Sequence, residues 1–323
     1  MLIAPFLVAG WFLADPARND EQARDAADRA ARFLEREVGR WSREHRCFSC
    51  HNNGDAVRAL FRSAQARGQS LPESLAATTS WLRQPQKWDA NGPGGPFSDK
   101  RLARSAFSFA LATGVETGMI KDRLAVEKSA SGLAKLQAPD GSWPIEGVDD
   151  VGSPTTLGRP LIVLLARDAL RAADPVRFAQ PAIRATTWLD NRPLETVIDA
   201  AVSLMAGHSS DDARISRAIT ILHDGEADEG GWGPRIRSAP EVFDTGLVLL
   251  GLSRARGRSD VDPMIRRGRD YLIAEQQDDG SWVETTRPPG GVSYAQRVST
   301  TAWATMALLA TEPSRPAGHD SKR

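Results

Sequence analysis

The sequence predicts an all-α protein, an α/α-toroid: a single ring of inner and outer helices, five to six pairs in all. Three observations predict it. A Gly-x-Trp corner recurs along the chain, strongly apolar helical segments follow the corners, and amphipathic segments precede them.

The chain of 323 residues opens on Met1 to Ala14, an apolar run too short to span a bilayer. It reads as the hydrophobic region of a secretory signal ending near Phe12-Leu13-Ala14, or as a buried N-terminal helix. The first basic residue is Arg18, so the usual positive start is missing. Residues 1 to 17 are thus set apart, with an exported, periplasmic protein as the expectation.

From Asp20 to Trp41, the residues Ala23, Ala27, Ala30, Leu34, Val38 and Trp41 recur at spacings of three and four, which makes an amphipathic helix. That helix leads into the chain's two cysteines, Cys47 and Cys50, so residues 18 to 62 form an N-terminal helix with a Cys-x-x-Cys-His segment. Two cysteines exclude a scaffold of several disulfides.

Residues 63 to 311 carry the repeats. Gln137-Ala138-Pro139-Asp140-Gly141-Ser142-Trp143 matches Gln276-Gln277-Asp278-Asp279-Gly280-Ser281-Trp282 at five of seven positions, with a degenerate copy from Glu226 to Trp232. Fainter copies fall at Gln84 to Gly92 and near Trp188, so the period is roughly fifty residues. An open solenoid of tetratricopeptide or HEAT type would repeat faster and lack the corner, so closure is expected.

After the corners come apolar segments entered through hydroxyl or acidic residues. They start at Ser105, at Thr155 and Thr156, at Thr196, at Asp244 and Thr245, and at Ser299 to Thr301, where these side chains are expected to cap helix starts. Stretches such as Asp122 to Leu136 and Asp262 to Glu275 supply the outer helices. Residues 312 to 323 have no apolar pattern and read as a frayed tail.

Lys plus Arg and Asp plus Glu each number 41, so no net field draws nucleic acid; membrane association is possible but not indicated. Phe107, Phe109, Phe243 and Trp303 fall on the inner segments, where they line a cavity for an apolar ligand or simply pack the core. His208 and His223 have no evident partners and read as loop or helix-end histidines.

The Gln-x-x-Asp-Gly-x-Trp pattern, from about Trp81 to Ala310, resembles the repeats of squalene-hopene and oxidosqualene cyclases, with related repeats in the β subunits of protein prenyltransferases. The resemblance implies that Gln137, Trp143, Gln276 and Trp282 are structural clamps. It also implies an acid motif, Asp-x-Asp-Asp-Thr, whose middle Asp protonates an alkene. The matching stretch is Glu241-Val242-Phe243-Asp244-Thr245, with Phe243 where the donor should stand. Glu241 and Asp244 are therefore the candidate catalytic pair of an altered acid site; helix capping is the bland alternative for Asp244. A full cyclase of that kind uses two toroids, which argues against hopene-type cyclisation. The prenyltransferases use Asp, Cys and His zinc ligands near the ring centre, whereas both cysteines here precede the repeats.

Cys47-Phe48-Ser49-Cys50-His51 has the spacing of a c-type haem attachment site, with both thiols bonded to the vinyl groups and His51 on the iron. Met119 is the only downstream candidate nearby for a second axial ligand. A disulfide, free thiols, or a zinc site including His45 remain open. Two functions follow. One is an exported toroid that binds an apolar molecule or a protein partner in its ring and carries a covalent haem c at its edge. The other is an isoprenoid-modifying cyclase or transferase working through Asp244.

Overall fold

The computed structural model describes residues 16–90, 100–144, 151–207 and 212–313. The apolar start of the chain, His208 and the chain beyond residue 313 lie outside them. Among the described residues there are twelve α-helices: α1 Pro16–His45, α2 Val57–Arg67, α3 Ala76–Leu82, α4 Lys100–Glu116, α5 Arg123–Lys135, α6 Arg159–Ala173, α7 Ala179–Asn191, α8 Val197–Ala206, α9 Asp212–Asp224, α10 Val242–Leu252, α11 Asp262–Glu275 and α12 Tyr294–Ala310. No strand occurs among these residues beyond isolated bridges, and two of the bridges close the corners, Glu226 with Trp232 and Gln276 with Trp282.

Even-numbered helices form the inner wall. Each touches the next, and α12 returns to α2, so the ring is closed with six inner helices. Burial separates the layers: α10 buries ten of its eleven residues, whereas α5 buries five of thirteen. That difference is what an apolar-all-round sequence and a one-faced sequence demand. The long helix α1 lies outside, against α2, α11 and α12, and so belongs to the toroid.

The corners hold neighbouring outer helices together. In the first, the Gln137 amide donates to Gly141 O at 3.0 Å and to Pro181 O of α7 at 2.9 Å, while Trp143 Nε1 donates to Leu133 O at the end of α5. The last corner repeats this with Gln276 donating to Gly280 O and to Ala26 O of α1, and Trp282 to Leu272 O. Gly280 needs its lack of a side chain twice over: its φ is +90°, and a Cβ there would stand 2.6 Å from Arg29 O. In the degenerate corner, Glu226 replaces Gln and binds Arg267 of α11 through both carboxylate oxygens.

The hydroxyl residues do something other than expected at most inner helices. Thr196 does cap α8, accepting from Asp199 N in a reciprocal capping box. Ser299 to Thr301, however, lie one turn and more inside α12, whose cap is Ser293. Thr301 Oγ1 instead accepts from Trp282 N at 3.1 Å, just as Thr245 Oγ1 accepts from Trp232 N at 2.9 Å. They satisfy the buried corner backbone, a duty that capping statistics do not reveal. Before α6, Thr156 bonds Ser153 within the preceding turn, and the cap position is Gly158. Glu312, assigned to the tail, is anchored by a two-pronged bond from Arg67 at 2.7 and 2.8 Å.

Candidate active site

All six inner helices run the same way, because a single cavity of about 490 Å³ is lined by the C-terminal turns of each: Ala66, Glu116, Ala169, Met205, Leu250 and Ala310. The opposite end of the ring, where these helices begin, carries the candidate acid residues.

There Asp244, in the first turn of α10, is fully buried. The cap position of α10 is Glu241, with no side-chain capping bond, so Asp244 does not cap the helix. Its carboxylate Oδ2 accepts instead from Arg287 Nη2, which also reaches Glu241 Oε2 at 3.3 Å. A second arm of Arg287 donates to Gly152 O, ahead of α6. Asp244 Oδ1 is buried without a hydrogen-bond partner. Burial drives the Asp244 pKa up from 3.8 to about 8; Arg287 pulls it down and Glu241 pushes it up, but loss of water dominates. The carboxyl therefore holds its proton at neutral pH. Sequence reasoning found Asp244 and Glu241 through the motif and missed Arg287, which lies in a Pro-Pro-Gly loop and matches no motif read here.

A second buried carboxyl went unseen. Cys50–Ala56 is a π-helical segment that enters α2, and such segments favour functional positions. It buries Asp55, which accepts from Ser299 Oγ at 2.9 Å and faces Arg58 Nη1 at 3.5 Å. Burial raises the Asp55 pKa to about 6, Arg58 opposing. The Asn-Asn-Gly-Asp run around it reads as a surface turn, so local sequence gives no warning.

Of the four aromatics read as cavity lining or core packing, Phe109 and Trp303 line the cavity. Phe107 packs between Trp81 and Trp88 instead. Phe243 meets Trp303 edge to face at 5.8 Å and lies under the Arg287 guanidinium, joining cavity floor to acid cluster.

Cys47 and Cys50 are half-buried and no disulfide joins them. His51 Nε2 is buried and has no hydrogen-bond partner, and its ring meets the faces of Trp41 and Tyr294. Burial, with His45 nearby, lowers its pKa to about 4, so the ring is neutral at pH 7. Among the described residues no group of three or more His, Cys, Asp or Glu side chains is placed to hold a metal ion. Met119 packs against the core. His223 lies in the last turn of α9, 3.5 Å from Asp224 Oδ1. None of the described helices is long and apolar enough to cross a membrane.

With ring and cluster in view, the relatives fall into place. Residues 165–319 match the squalene-hopene cyclase C-terminal domain family. A squalene-hopene cyclase from Bradyrhizobium diazoefficiens is 32% identical over 134 residues, which is 39% of this chain and 20% of that protein. The match thus spans only about a fifth of that relative. Among solved structures, the type II terpene cyclase MstE from Scytonema, with geranylgeranyl dihydroxybenzoate as substrate, superposes with a TM-score of 0.62 at 13% identity, over 91% of this chain and 98% of that one. The same cyclase with its product merosterolic acid A gives a TM-score of 0.61 at 14% identity, over 93% of this chain and 99% of that one. The family match thus falls on the C-terminal part of the chain, while the ring as a whole shares the α/α-toroid fold of these cyclases.

Proposed function

We propose that this chain is an isoprenoid-modifying enzyme of the terpene cyclase kind, which holds an apolar polyprene in its ring and protonates it from Asp244. The observation that supports the reading is a carboxyl that keeps its proton to about pH 8, beside Glu241 and Arg287, in the first turn of an inner helix. Protonating an alkene needs a dry acid whose proton goes to carbon rather than to water. The proton leaves an Asp244 oxygen, the π electrons form the new C–H bond, and the carbocation closes onto the next double bond. Arg287 neutralises the carboxylate left behind; the final cation loses a proton to water to give a neutral alkene, and solvent returns a proton to Asp244 before the next turnover. Phe243 and Trp303 offer aromatic faces near the cation. The test is product analysis by gas chromatography and mass spectrometry with squalene and geranylgeraniol. Wild type should give a cyclised product and a folded Asp244→Asn variant none; equal turnover in both would discard the acid.

A second reading rests on the N-terminal segment: an exported toroid that takes an apolar molecule or a protein partner in its ring and carries a c-type haem. Cys47 and Cys50 would hold the group covalently and His51 its iron, and the buried, unpartnered Nε2 of His51 suits that role. The haem would supply one-electron redox chemistry, with neutral His51 ready to ligate. A pyridine haemochrome spectrum after expression with haem-ligation machinery decides it: an α-band supports the reading and its absence removes it. Export is checked by fractionation, with the chain in the periplasm if the reading holds and in the cytosol if it fails.

A further inference from the structure

The cavity at the C-terminal ends of the inner helices differs in kind from the acid cluster at the other end. Leu164, Leu165, Met205, Leu250, Met306 and Leu309 make its wall. Arg58 lies in the first turn of α2, while Ala66 at the mouth lies in the last. Eight residues at about 1.5 Å each put the guanidinium's helix position about 12 Å below the rim.

Arg58 is an unusual floor. Its side chain is 7% exposed and stacks at 4.8 Å over Trp303. Its carboxylate partner, Asp55, stands 3.5 Å from one nitrogen, and Arg58 Nε is buried with no partner. A guanidinium this buried normally receives a short, two-pronged carboxylate, because an under-compensated buried charge is costly. Asp55 accepts its nearer bond from Ser299 Oγ on one oxygen and reaches Arg58 only through the other, so the pairing is single-pronged and long.

We propose that this cavity binds an amphipathic anion, a carboxylate at the end of a linear apolar chain, with its head on Arg58 and its tail toward the mouth. The orientation follows from the helices. Six C-terminal ends ring the mouth with partial negative charge; of the arginines there, Arg62 is paired with Glu116 and Arg254 is exposed to water, whereas Arg58 at the floor is buried and under-compensated. The volume of about 490 Å³ falls in the range of roughly 300–1,000 Å³ typical of small-molecule sites. Nothing in this site depends on proton transfer from Asp244, so it stands or falls apart from the cyclase reading.

Isothermal titration of the full chain with decanoate and with decanol, both below micellar concentration, tests it. Decanoate should bind one to one and at least tenfold more tightly than decanol. Arg58→Met should reduce decanoate to the decanol level and leave decanol unchanged, while Leu250→Trp, which narrows the cavity at the C-terminal turn of α10, should weaken both by a similar factor. Equal affinity of acid and alcohol in wild type, discrimination that persists without Arg58, or decanoate affinity unaffected by Leu250→Trp would each overturn the proposal. The wild-type comparison decides the matter even if Arg58→Met fails to fold, which circular dichroism checks.

Discussion

The side-chain amide of Gln276 donates to the backbone carbonyl of Ala26, 250 positions earlier in the chain, at 2.9 Å. Arg29 of the same helix returns a bond to Gln276 Oε1. The last corner therefore fastens the first outer helix, and the ring is shut by the device that elsewhere joins consecutive repeats.

If that corner closes the ring, a side chain at Gly280 should cost far more than one at a free turn. Gly257 has a similar φ of +87° but nothing within 4 Å of an added Cβ. Gly257→Ala should lose about 1–2 kcal/mol from left-handed strain alone. Gly280→Ala adds a collision with Arg29 O and should lose clearly more, as read by urea denaturation of both variants. Equal losses would show that the corner is not under closure constraint.

Arg287 sits between two carboxylates and pulls the Asp244 pKa down, so Arg287→Met should keep Asp244 protonated well above pH 8. The stability loss should then exceed that at pH 5 by roughly 1 kcal/mol at pH 9, where only the wild type gains from the ionised pair. A loss independent of pH would mean that Arg287 acts through packing or through Gly152 alone.

Asp244 binds its proton more tightly in the folded chain than in the unfolded one. Its contribution to stability is therefore complete below about pH 4 and is lost as pH rises toward about 8. Asp55 behaves the same way between about 4 and 6. Denaturation midpoints across pH 5 to 9 should fall in wild type, and Asp244→Asn should flatten the portion above pH 6. An unchanged slope in that variant would assign the titration elsewhere.

His51 has the opposite sense. Its depressed pKa makes the fold lose stability as pH drops from about 6.5 toward 4. If the haem reading holds, Cys47→Ser and Cys50→Ser should each remove one thioether and shift the haemochrome α-band, and the double substitution should abolish covalent attachment, as mass spectrometry of the intact chain would register. Full retention of haem mass in the double variant would contradict it.

Much of the architecture could be read from the chain because corner and helix signals are local. Gln137 bonds Gly141 O within the corner and Trp143 bonds Leu133 O on the helix just before it, so their pattern survives in sequence. The roles of Thr245 and Thr301 could not be read, since each completes a hydrogen bond to a Trp backbone more than ten residues away and resembles a helix cap from sequence alone. The candidate site divides along the same line. Glu241 and Asp244 stand three apart on one turn and match a motif, whereas Arg287 reaches Asp244 across 43 residues from an irregular loop. Asp55 and Arg58 share a turn, but what makes them notable is burial by α12, which no spacing announces.

The acid reading depends on one proton. Carboxyl carbon NMR of chain labelled at aspartate Cγ, with Asp244→Asn to assign the resonance, measures it directly. The account predicts that Asp244 is protonated at pH 7 and titrates with a midpoint near 8. A resonance already in its ionised position at pH 6 would contradict it.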